Sequence, residues 1–166
     1  GMIPGLLVKK FDGIFASNGL AFSPDSKTAY YADSKQRLVW AFDFDADDGA
    51  LSNRRVFVEL KGGEGGPDGA AVDSEGCYWL TQPSGWRVVR YDPRGRADRI
   101  IEMPVSQPTC CAFGGPRMDT LYITTARYKL SAAQLAKEPL AGHMFALNPG
   151  VGGPADAFFA GDPALL

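Results

Sequence analysis

The chain has 166 residues, enough for one domain with a sizeable core, and its 45% hydrophobic and 22% charged content is that of an ordinary globular protein. A formal net charge of −2 supplies no bulk attraction to nucleic acid, and no apolar run reaches the about 18 residues that a membrane helix needs. Twenty glycines and twelve prolines point to many turns and short strands rather than long helices.

The N-terminus shows no signal-peptide core of convincing length, which predicts a cytoplasmic location. Gly1 before Met2 reads as the remainder of a cleaved tag and is set aside. Leu6-Leu-Val-Lys-Lys-Phe11 reads as a lone outer strand. A first unit then opens at Asn18-Gly-Leu-Ala-Phe and runs through Thr28–Asp33, Arg37–Asp43 and Arg55–Leu60. A second opens at Asp68-Gly-Ala-Ala-Val and continues as Gly76–Thr81, Arg87–Asp92 and Arg99–Met103. A third opens at Thr109-Cys-Cys-Ala-Phe, followed by Thr120–Thr125, His143–Asn148 and the weak run Ala157-Phe-Phe-Ala160. Hairpin connections are predicted at Asp43–Gly49 and Asp92–Gly95, both rich in Asp and Gly. Ser131–Lys137 is the one helical segment, with Ser131 as its N-cap and Pro139 beyond its end.

A repeat of about 40–50 residues with four short strands per unit is the sequence mark of a β-propeller blade. The expected fold is all-β: three four-stranded blades at 18–60, 68–103 and 109–160, in one domain spanning residues 1–166. Propellers close with about 4–8 blades, and three alone leave unpaired edges and open faces. The expectation is therefore a six-bladed ring completed by homodimerisation, or by a separate chain that supplies the missing blades.

Oxygen-bearing side chains at one phase of a ringed repeat converge on its axis, and Asn18 and Asp68 hold that phase in the first two units. Asn-Gly and Asp-Gly are also common turn dipeptides, and taken alone they read as turns. Other candidates carry blander readings. His143, the sole histidine, is expected to pack between blades, and no G-x-S-x-G elbow accompanies it. Cys77, Cys110 and Cys111 form an odd set without C-x-x-C spacing, and Cys110 and Cys111 read as buried thiols. Gly62–Gly66 reads as a flexible loop, since the Lys and helix of a phosphate cradle are missing. Glu64 is a candidate to reach the channel mouth, while Gln82, Trp86 and Arg127 border it with structural roles. Asp33 and Asp73 close strands and cap turns.

Several runs together resemble the senescence marker protein-30 / gluconolactonase / luciferin-regenerating-enzyme family. They are Ser17–Asp25, Leu51–Phe57, Gly65–Asp73, Arg87–Asp92, Pro104–Thr109, Ala112–Pro116 and Leu121–Arg127. The resemblance covers almost the whole chain from about residue 6 and corresponds to the C-terminal half of the family. It implies a six-bladed propeller with one divalent metal at the top of its channel and hydrolysis of sugar lactones. The metal ligands it implies here are Asn18 and Asp68, with Asp68 also the general base. Ca²⁺ or Zn²⁺ is the first expectation and Mg²⁺ or Mn²⁺ the next. The family's Glu ligand and its substrate-holding Arg and Asn have no counterpart in this chain. The expected function is metal-dependent lactone hydrolysis that requires a completed propeller, with no nucleic-acid or membrane partner. The alternative is a catalytically inactive fragment acting as a binding or scaffold module.

Overall fold

The computed structural model describes residues 7–155. Three antiparallel sheets follow one another along the chain. The first contains β1 (Ser17–Phe22), β2 (Thr28–Asp33), β3 (Leu38–Asp45) and β4 (Ala50–Glu59) in that spatial order. The second contains β5 (Ala70–Val72), β6 (Tyr78–Gln82), β7 (Arg87–Tyr91) and β8 (Ala97–Glu102), again in chain order. The third contains β9 (Pro108–Gly114), β10 (Thr120–Thr125) and β11 (Phe145–Leu147), with β10 in the middle. Its expected fourth strand at 157–160 lies outside the described residues. The helix α1 (Ala132–Lys137) sits between β10 and β11, and Ser131 and Gln134 cap it reciprocally.

The first two units are meanders, because the turns between their strands are too short for anything but antiparallel neighbours, and in the third a longer connection carrying α1 brings β11 back alongside β10. The sheets then pack face to face. Tyr30, Ala32, Val39, Ala41 and Val58 of the first sheet meet Val72, Tyr78, Leu80, Val89 and Tyr91 of the second. On its other face the second sheet presents Trp79 and Val88 to Cys111, Leu121 and Ile123 of the third. A sheet covered on both faces needs apolar side chains on both, so β6 is buried at every residue of Tyr-Trp-Leu-Thr-Gln. Full burial of each large side chain in this run contributes about 1.5–3 kcal/mol relative to exposure. The central sheet is therefore the element on which the other two depend.

The β3–β4 hairpin is longer than the sequence predicts. Phe44 pairs with Leu51 and Asp45 with Ala50, so the turn shrinks to residues 46–49. The first half of β4 is exposed and polar. A stretch of outer strand exposed on both faces carries little apolar alternation, and its register also shifts twice along β3.

Residues 7–14 form no strand within the described chain, so an outer strand over 7–11 is not paired here, and Leu6 lies outside the described residues. The segment nevertheless lies on the free face of the first sheet. The Phe11 ring is centred 4.8 Å from that of Tyr31 and 5.0 Å from that of Phe42. Leu60, just after β4, and Met103, just after β8, pack in the same way into the cores that join each sheet to the next. Phe11 thus packs on the first sheet as Leu60 and Met103 pack into the joints that follow.

Candidate metal centre

Asn18 is the second residue of β1, and Asp68 lies two residues before β5. The glycine after each is required by packing. Gly19 has φ +54°, and a β-carbon there would stand 2.4 Å from Tyr78 Oη, 2.8 Å from Ala32 Cβ and 3.0 Å from the Asp68 carbonyl. A β-carbon on Gly69 would stand 2.5 Å from Cys110 Sγ and 2.6 Å from Cys110 Cα. Asn-Gly and Asp-Gly are therefore points of close approach between the innermost strands of neighbouring sheets, not hairpin turns. Bonds between sheets fix the approach. Tyr78 Oη, fully buried, donates to the Gly19 carbonyl at 2.7 Å, and the Gly69 amide donates to the Thr109 carbonyl at 2.8 Å. One hollow of about 360 Å³ is lined by Asn18, Gly19, Gly69, Ala70 and Cys110, contributions from all three inner strands.

The Asn18 amide is near enough to the Asp68 carboxyl to act on its ionisation. Burial pushes the Asp68 carboxyl above its ordinary value, opposed by the adjacent Asn18 amide. No cationic side chain contributes to that balance. Asn18 Nδ2 also donates to Ser34 Oγ at 3.0 Å, and that hydroxyl donates to the Pro67 carbonyl at 2.7 Å. The pair, one carboxylate and one amide, suits a hard cation, and the Cys110 thiol lines the same hollow. It fits as part of a site. Among the described residues no group of three or more His, Cys, Asp or Glu could hold a metal ion, and a full oxygen cage takes about 6–8 ligands.

The other candidates separate clearly. Glu64 binds the Lys61 amide and lies 3.1 Å from Arg87, which anchors the loop ahead of Asp68. Gln82, buried, joins Arg87 Nε at 2.7 Å to Tyr91 Oη at 2.8 Å. Trp86 is partly exposed with φ +57°, and Arg127 is exposed in the long connection after β10. His143 does not pack between sheets: it is exposed in the turn ahead of β11, with Nδ1 2.9 Å from the Leu140 carbonyl. Of the vicinal cysteines only Cys111 is buried, while Cys110 is exposed toward the hollow. Alternation explains the split, because adjacent strand residues face opposite sides. Full burial holds the Cys111 thiol above its ordinary value, and partial desolvation, with a smaller contribution from Asp68, raises that of Cys110. Asp33 and Asp73 cap turns as expected: Asp33 accepts from the Phe15, Ala16, Lys35 and Gln36 amides, and Asp73 from those of Glu75 and Cys77.

Ser34 and Tyr78 are the residues that sequence reasoning missed. Tyr78 looked like one more core aromatic. Ser34 carried a signal, for it follows the last residue of a second strand, where the other two units have Pro83 and Ala126.

Three stacked antiparallel sheets whose inner strands meet around a shared hollow make an all-β architecture of the propeller type. Residues 4–127 match the model of the SMP-30/Gluconolactonase/LRE-like region, and the chain belongs to that family. It is 45% identical over 149 residues to 6-deoxy-6-sulfogluconolactonase of Pseudomonas putida, covering 89% of this chain and 51% of that protein. It is 42% identical over 140 residues to regucalcin of Danio rerio, 84% of this chain and 48% of that protein. The solved structure of a calcium-binding protein, regucalcin, from Agrobacterium tumefaciens superposes with a TM-score of 0.85 at 35% identity, over 90% of this chain and 51% of that one. The chain spans about half the length of the relatives it matches.

Proposed function

We propose that this chain carries part of the active site of a divalent-cation-dependent hydrolase of sugar lactones, working within a completed six-bladed ring. The observation that carries the reading is the pairing of Asn18 with Asp68, a half-buried carboxylate with no cationic neighbour, across two adjacent sheets. A carboxylate held in this way is poised for a cation, and burial makes it a stronger base than an exposed aspartate. The names of the relatives supply the substrate class and the first choice of ion, a gluconolactone type and Ca²⁺, with Zn²⁺, Mg²⁺ and Mn²⁺ as further candidates.

Asn18 and Asp68 are the residues that would hold the ion, which when bound supplies polarisation of the lactone carbonyl. Asp68 takes a proton from the attacking water at a carboxylate oxygen. The water oxygen bonds to the carbonyl carbon, the ring C–O bond breaks, and the proton is returned to the departing alkoxide, leaving a hydroxy acid. Neither a serine nucleophile nor a histidine is needed, in keeping with the exposed position of His143.

The remaining blades come from a second copy or from a separate chain. The free face of the first sheet supports this. Leu20, Phe22, Tyr31, Phe42 and Phe44 line a groove of about 680 Å³ there, next to Phe11. We assign the complex to the cytoplasm. Among the described residues no helix is long and apolar enough to cross a membrane.

Hydrolysis of glucono-δ-lactone with each of the four ions, alongside the native mass by light scattering, tests the proposal. Expected are a dimer, or co-purification with a partner chain, and activity abolished by Asp68→Ala. A monomeric chain without turnover in any ion would overturn it.

A further inference from the structure

We infer that Ser34 is the positioning residue that fixes the orientation of the Asn18 amide and so decides which of its atoms can serve a cation. The inference rests on the proposed metal site and adds a residue to it. Its logic is one of proton placement. The Pro67 carbonyl can only accept, so at 2.7 Å the Ser34 hydroxyl must spend its single proton there. Ser34 Oγ is then an acceptor toward Asn18, and the amide must turn its NH₂ toward it, as the 3.0 Å bond from Nδ2 requires. The opposite orientation would set Asn18 Oδ1 against a hydroxyl oxygen with no proton left to offer. Asn18 Oδ1 therefore faces away from Ser34 and is kept as an oxygen donor, while the amide nitrogen lies on the side shared with Ser34.

Ser34 is itself held firmly. The Ser34 amide donates to the Ala16 carbonyl at 3.0 Å. The buried Asp33 carboxylate, one residue back, gathers the amides of Phe15, Ala16, Lys35 and Gln36. The approach to β1 and the turn bearing Ser34 thus form one clamped unit. Because Pro67 directly precedes Asp68, the hydroxyl also ties the Asn18 side chain to the segment that delivers the carboxylate. The other two sheets lack this device: the residue after the second strand is Pro83 in one and Ala126 in the other. It occurs only in the sheet that carries an amide at the inner-strand position.

The test compares wild type, Ser34→Ala and Ser34→Thr in the full chain. The Asn18 side-chain NH₂ signals in a ¹⁵N spectrum are identified by their loss in Asn18→Ala. The inference expects a rigid side-chain amide in wild type and Ser34→Thr, and a mobile or shifted one in Ser34→Ala with the backbone spectrum otherwise unchanged. Calorimetric titration with Ca²⁺ alone and Zn²⁺ alone should then show affinity about 10–100-fold weaker in Ser34→Ala, restored in Ser34→Thr. An amide as rigid in Ser34→Ala as in wild type would overturn the inference. The amide measurement needs no metal. Absence of ion binding by wild type would therefore count against the metal site alone, and would be told apart from failure of the Ser34 assignment.

Discussion

Two aspartates of the second unit, five residues apart in sequence, are treated in opposite ways. Asp73 is fully buried and saturated: it accepts from the Glu75 and Cys77 amides, from Trp79 Nε1 at 2.8 Å and from Arg90 Nε at 2.7 Å. Arg90 extends the network to Glu75 and Asp98 at the surface and lies over the Trp79 ring. Asp68 is half-buried, with an amide for a neighbour and no cation. A carboxylate whose bonds are all made holds the fold together. One that is desolvated but under-coordinated costs stability, and such positions are where ligands bind.

The largest effect should come from breaking the saturated centre. Arg90→Ala leaves a buried carboxylate without its counter-charge, and a buried pair broken from one side costs about 3–5 kcal/mol. A urea melt should show a much lower midpoint with little change in slope. A loss below about 1 kcal/mol would mean that Asp73 is as dispensable to the fold as a surface group, and the contrast with Asp68 would collapse.

The next effect probes the meeting of the inner strands. Gly19→Ala sets a β-carbon 2.4 Å from Tyr78 Oη and imposes φ +54° on an alanine. Overpacking of this kind costs about 1–3 kcal/mol. Gly62→Ala is the control, since nothing lies within 4 Å of a β-carbon there, and its denaturation midpoint should match wild type. If Gly19→Ala also matches, the first two sheets do not approach as closely as the site requires.

How much of this was legible in the sequence follows the same division. A strand such as Thr120–Thr125 came through because burial alternates along most of it and alternation records burial directly, while Thr28–Asp33, buried on both faces, came through as a short apolar run between turn residues. The helix 132–137 was legible from its cap, a local device. The outer strands were read worst: β4 and β8 are largely exposed, and their pairing is set by neighbours rather than by their own pattern. Asn18 and Asp68 could be singled out as candidates from repeat phase and family resemblance, but the tie through Ser34 that joins their segments depends on how the sheets stack. Ser34 differs from Pro83 and Ala126 at the same place in the other units, but the difference does not state what it does. Its role is a pair of bonds, one to Asn18 and one to Pro67, that no local pattern encodes. Cys110 went astray because an apolar neighbourhood in sequence was taken for burial in space, and His143 because it was placed in a third strand that begins only at Phe145.

The smallest effect is the most discriminating, because its sign reverses. An aspartate in the unfolded chain ionises near about 3.9, and burial raises Asp68 above that in the folded chain. Between the two values the folded state binds more protons, so stability falls as pH rises through this window and the deficit is complete above it. Asp68→Asn removes the charge while keeping the shape. The metal-free variant should therefore melt slightly higher than wild type at pH 7, by less than about 1 kcal/mol, since solvent screens a group only half buried. The gap should close at a pH below both values, where wild-type Asp68 is protonated as well. Added cation should invert the order: wild type gains stability as RT ln(1 + [L]/Kd) and Asp68→Asn gains none. Cation affinity in wild type should also weaken on acidification at a higher pH than for an exposed aspartate, because the proton competes for a carboxylate already shifted upward. If Asp68→Asn instead melts lower at pH 7, as Arg90→Ala should, then Asp68 belongs with Asp73 as a structural carboxylate and the cation has no reason to bind there.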